Sequence, residues 1–78
     1  MKYELTPTDN RKSFYGKAIV VDENGVKTLF SYNTKIISKE ENGTLHRYYD
    51  DWTATTGRHI KAFCGLNKKE FTNMEVEH

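Results

Sequence analysis

Little in this chain could staple or anchor it. A single cysteine, Cys64, excludes an internal disulfide framework and a cysteine-based zinc cluster. A reducing, cytoplasmic setting is therefore expected. No apolar run approaches the roughly 20 residues that a membrane helix needs, and residues 1–7 lack the hydrophobic stretch of a signal peptide. Neither sign of charge dominates, since twelve Lys and Arg stand against eleven Asp and Glu. That balance argues against a general nucleic-acid binder, which would be basic overall. Large aliphatics are scarce as well: Leu, Ile, Val and Phe number four each among 78 residues, close to the composition of disordered chains. Ten aromatics and a lone proline pull the other way. One small, marginally stable domain is expected.

What is present is ordered by period. Residues 1–13 are turn-rich and read as a partly flexible lead-in, with Tyr3 and Leu5 able to add a short edge pairing. Residues 14–21 are aromatic and β-branched, and Asp22-Glu23-Asn24-Gly25 supplies a hairpin turn. Residues 26–32 return with Val26, Thr28, Phe30 and Tyr32 on one face. Asn33 makes a break, residues 34–39 read as a third strand, and a second turn at Glu41-Asn42-Gly43 leads into a fourth over 44–49. From Thr53 the period becomes helical, with an apolar stripe of Ile60, Phe63 and Cys64. Thr55 or Thr56 is the expected N-cap and Gly65 the stop. Asn67 and Glu70 match a capping box opening a second short helix around Phe71 and Met74. Residues 75–78 read as a frayed tail or a brief extended piece. The expectation is an α+β domain over residues 14–74: a four-stranded antiparallel meander of two hairpins, with two short helices packed on one face.

Four stretches carry a resemblance: DNRKSFYGKA at 9–18, LFSYNT at 29–34, TATTGRHIKAF at 53–63 and NKKEF at 67–71. In this order they resemble small uncharacterised proteins of gut and low-GC Gram-positive bacteria, often encoded by phages and other mobile elements. Those proteins carry SFYGKA, SYxT and TTxRHIxxF elements. This chain departs from them at Trp52, near a position where they carry Ser or Gly. The resemblance implies provenance from a phage or mobile element and no established activity.

Catalytic and metal chemistries find little support. Cys64 falls near a helix C-terminus, whose partial negative charge disfavours a thiolate. His59 is five positions earlier, about 500° around the helix, so the two point apart. His46, His59, Cys64 and His78 make no ligand pair of metal spacing, and neither metal nor cofactor is expected. Asp50 and Asp51 are adjacent at a strand end, where turn or cap use is the commoner role. Asn42-Gly43-Thr44 fits a glycosylation acceptor, but it also fits a hairpin turn, and without a secretion signal the turn is the expected reading. Tyr48, Tyr49 and Trp52 cluster at the strand-to-helix junction, as core filler or as a contact patch.

Arg58, His59 and Lys61 are the most informative group. First turns of helices favour acids because the N-terminus is already partly positive, yet no acid lies between Thr53 and Lys69. Either Asp50 or Asp51 neutralises that end from within the chain, or an external anion does. The functional expectation is a non-catalytic module, a phage or mobile-element accessory protein, that binds another protein. Its candidate surface comprises Tyr49, Trp52, Thr55, Thr56, Arg58, His59 and Lys61. The alternative is a nucleic-acid-binding accessory protein using the basic helix region. An enzyme is not expected, because no residue set supplies nucleophile, base and stabiliser together.

Overall fold

Alternation of apolar residues on either side of an Asn-Gly turn produces the central hairpin. The computed structural model describes residues 1–5 and 17–77. Within it β1 (Lys2–Glu4), β2 (Ala18–Glu23), β3 (Val26–Ser31), β4 (Thr34–Lys39) and β5 (Leu45–Arg47) form one antiparallel sheet in chain order. Helices α1 (Ala54–Cys64) and α2 (Lys68–Thr72) follow. The α+β meander with helices on one face is the architecture read from the sequence, enlarged by one strand. That strand is β1, which pairs Tyr3 with Val20 and lies at the sheet edge. The start of the expected first strand, residues 14–16, lies outside the described residues, as does most of the lead-in.

Two hairpins turn tightly. Asn24 and Gly25 adopt φ of 53° and 79°, and Tyr32 and Asn33 adopt 52° and 67°. Both pairs are left-handed, as a two-residue turn must be to match the twist of its strands. The break expected at Asn33 therefore begins one residue earlier, at Tyr32, which leaves the strand face assigned to it.

The core lies between the sheet and the helices. Ala18, Val20, Leu29, Ile36, Ile37, Ile60 and Phe71 are buried. On β3 the buried positions are Leu29 and Ser31, so Val26, Thr28 and Phe30 occupy the opposite, half-buried face. A register shift beside Leu29 and Phe30 pairs them with Ile37 and Lys35, leaving Ile36 as an extra residue in β4. The bulge lets two consecutive isoleucines be buried. It also redirects the chain after β5: Tyr48 and Tyr49 both donate their N–H groups to the Ile36 carbonyl, at 2.8 and 3.2 Å. The fourth strand expected over 44–49 is for this reason only three residues long.

Helix boundaries correct the sequence reading in one respect. The N-cap is Thr53, not Thr55 or Thr56: its Oγ1 accepts the Thr56 N–H at 3.1 Å. The other end behaves as read, with Gly65 left-handed at φ 78° and its N–H on the Lys61 carbonyl. Asn67 and Glu70 close a reciprocal capping box. The stripe of α1 is rotated from the one expected. Thr56, Gly57, His59 and Ile60 are buried, while Phe63 and Cys64 are half-buried. A polar first half is pressed onto β3, and the apolar second half is only partly covered.

Arg47 organises the junction of sheet and α2. It is 6% exposed, and its guanidinium lies 4.4 Å from the centre of the Phe71 ring. Nε donates to the Tyr49 carbonyl at 2.8 Å, and Nη1 donates to Met74 at 2.9 Å and Thr72 at 3.4 Å. The Thr72 and Met74 carbonyls are left over where α2 ends, and a cation satisfies them well. The tail after α2 is the brief extended piece rather than a fray as far as residue 77: Val76 bridges Arg47, and the Glu77 N–H reaches the Arg47 carbonyl at 2.6 Å.

Candidate functional site

The expected binding residues separate into three environments. Tyr49 and Trp52 are half-buried and pack on the core. Thr55 and Lys61 are exposed, and Arg58 is half-buried. Thr56 and His59 are buried, at 5% and 1% exposure. The last pair corrects the surface assignment: both residues face the sheet.

The reason is a hydrogen-bonded polar cluster. Ser31 Oγ lies 2.8 Å from His59 Nδ1 and 3.3 Å from Thr56 Oγ1. Ser31 ends β3 on its core face and Thr56 and His59 sit one helical turn apart, so three polar groups meet where apolar contact would otherwise be required. Burial lowers the His59 pKa, and the Arg58 charge lowers it further, so the imidazole is neutral near pH 7. A hydroxyl against an imidazole has two components of a nucleophilic site. Ser31, however, is 2% exposed, and the cluster's evident work is to join helix to sheet.

Above the cluster lies Tyr32. It is 54% exposed, its ring centre is 6.0 Å from that of His59, and Lys17 Nζ lies 5.9 Å from the same ring. Its own N–H donates to the Lys17 carbonyl. Tyr32 thus stands at one end of the sheet beside the first turns of α1. Sequence reading missed it by counting it as a strand residue. The signal was available: a two-residue break requires a left-handed residue before Asn33, and that residue is Tyr32.

At the start of α1, no acid occupies the first turn. Asp51 Oδ1 accepts the Trp52 N–H at 2.7 Å, outside the helix, so this bond does not neutralise the helix end. Trp52 folds back over the helix. A Cβ on Gly57 would fall 2.5 Å from Trp52 Cε2 and Cζ2, and the Trp52 ring reaches Phe71 at 5.6 Å between centres. Core filler is thus its principal role.

Other candidates fall elsewhere. Cys64 is half-buried, its thiol donates to the Ile60 carbonyl at 3.5 Å, and burial pushes its pKa up. Tyr48 shares a hydrogen bond with Ser38 at 3.2 Å and receives Lys35 Nζ 4.0 Å from its ring centre. His46 bridges two carboxylates, with Nε2 2.7 Å from Glu40 and Nδ1 2.6 Å from Glu77. The two carboxylates lie on opposite ring nitrogens, an arrangement that pins the tail rather than converging on a metal. Among the described residues no group of three His, Cys, Asp or Glu side chains is placed to hold a metal ion. No helix among them is long and apolar enough to cross a membrane.

The chain matches DUF8033, a family of unknown function, over residues 1–77 and belongs to that family. No curated protein and no solved structure matches it.

Proposed function

We propose that this protein is a small non-catalytic interaction module, and that it binds another protein through the face formed by Tyr32 and the exposed side of the start of α1. The observation carrying this reading is the conformation of Tyr32. A bulky residue at positive φ is uncommon, and such strain costs about 1–3 kcal/mol. The neighbouring hairpin solves the same geometric problem with Asn24 and Gly25, which adopt it readily. At the other tip the chain holds an aromatic ring half in solvent instead. Tyrosine is enriched among the residues that dominate binding energy in protein interfaces.

Charge around the ring favours an acidic partner. Lys17 is against the ring, Arg58 is half-buried on α1, and Thr55 and Lys61 are exposed along it. An acidic group on the partner fits this surface, with the acid-free helix start adding to the attraction. Affinity capture from the native host tests the reading. Tyr32→Asn should abolish capture with stability unchanged or raised by up to about 1 kcal/mol, since Asn tolerates the left-handed region. Arg58→Glu should weaken capture. Full capture by both variants would refute the proposal.

A further inference from the structure

A second surface, at the other end of α1, has a different chemistry. Here the core-facing side of the sheet runs out from under the helix and leaves an open cleft of about 620 Å³, within the size range of small-molecule sites. Its floor is one cross-strand row. Asp22 on β2 is paired with Lys27 on β3, and Lys27 with Lys39 on β4. Two lysines directly opposite each other repel, and a sheet gains nothing by placing them so. Among the described residues neither lysine is in an ion pair. Cross-strand neighbours sit close enough for both ammonium groups to converge on one anion.

The remaining lining is equally particular. Tyr3 and Leu5 from the β1 end of the chain and Ala62 and Phe63 from α1 line it as well, giving an apolar body of ligand surfaces to contact. Three carboxylates complete the boundary, from Asp22, Glu40 and Glu41. Glu40 is engaged by His46. Glu41 leans over the first hairpin turn, its Oε2 2.9 Å from where a Cβ on Gly25 would lie. Among the described residues, two cations, two carboxylates outside any ion pair and apolar side chains then remain at the cleft.

We propose that this cleft binds a small zwitterion with an apolar body, as a hydrophobic dipeptide or amino acid presents. Lys27 and Lys39 take the carboxylate, Glu41 and Asp22 take the ammonium, and the side chain lies between Leu5 and Phe63. A purely anionic ligand would meet the two carboxylates, and a purely cationic one would meet the lysines. The site is independent of the Tyr32 face.

The test is an amide-shift NMR titration of the whole chain with L-leucyl-L-phenylalanine, with free L-phenylalanine, and with the dipeptide blocked at either end. The expected result is saturable shifts at Leu5, Gly25, Lys27, Lys39, Ala62 and Phe63. Either block should weaken binding by about tenfold or more, the loss of one charge-assisted contact. Lys39→Gln and Glu41→Gln should do the same to the unblocked dipeptide. Lys39→Gln should not lower the melting temperature, because it relieves the opposed pair, so its effect is separable from unfolding. Tighter binding of the dipeptide assigns the cleft to peptides, and tighter binding of phenylalanine assigns it to amino acids; both carry the proposal. Absence of saturable shifts, undiminished binding of a blocked dipeptide, or indifference to both substitutions would overturn it.

Discussion

Two single residues hold positions that their side-chain types make hard to replace. Arg47 is buried with no carboxylate partner among the described residues, and its hydrogen bonds go to backbone carbonyls of Tyr49, Thr72 and Met74. Arg47→Met fills similar space but leaves those carbonyls unsatisfied, and should cost about 2–4 kcal/mol in urea unfolding. Arg47→Lys should recover only part of this, since an ammonium cannot fork to separate acceptors as a guanidinium does. Gly57 is fixed by Trp52. An alanine there would gain helix propensity of about 1 kcal/mol, yet its methyl would overlap the indole at 2.5 Å. Gly57→Ala should therefore be destabilising on balance, by about 1–2 kcal/mol. Stability as high as the parent's would show that Trp52 swings aside freely. Neither role was legible beforehand: Arg47 depends on Phe71, Thr72 and Met74 more than 20 positions away, and Gly57 on Trp52 folding back over the helix from outside its repeat.

Among the elements, β5 and α1 each carry a histidine, and the two respond to pH in opposite directions. Hydrogen bonds to Glu40 and then Glu77 raise the pKa of His46 above its ordinary value of 6.5. Its contribution to holding the tail is complete below about pH 6.5 and fades as pH rises through the raised folded value. His59 is lowered, by burial first and by Arg58 second. Its contribution is complete above about pH 6.5 and is lost as pH falls through the lowered folded value. An imidazole NMR titration should place His46 above 6.5 and His59 below it. Glu77→Gln should bring His46 down while leaving His59 in place. A single shared midpoint would mean that neither cluster forms as described.

Those same elements show how far local pattern carries. The hairpins, Gly65 and the Asn67–Glu70 box depend on neighbours within a few positions, and each was readable from spacing. The face of α1 was not. Ile60, Phe63 and Cys64 are the larger apolar residues of that segment, but Ser31 on β3 satisfies Thr56 and His59, so a polar stripe becomes buriable. The partner that rotates the helix lies more than 20 residues upstream, out of reach of periodicity. The same burial removes Thr56 and His59 from the surface assigned to them and leaves Thr55, Arg58 and Lys61 on its accessible side.

At the scale of the molecule, seven buried apolar residues form the core among the described residues, and the fold draws on polar connections as well. Arg47 joins β5 to α2, Ser31 joins β3 to α1, and His46 joins β5 to the tail. These connections leave the tip at Tyr32 free to hold a conformation that stability alone would not select. The central claim is that this tip and the exposed side of α1 form one protein-binding face. Hydrogen exchange on the captured complex tests it most directly. Amides of residues 30–34 and 55–61 should gain protection together on binding, with β1 and the 40–44 turn unchanged. Protection confined to any other surface, with residues 30–34 exchanging as in the free protein, would contradict the account.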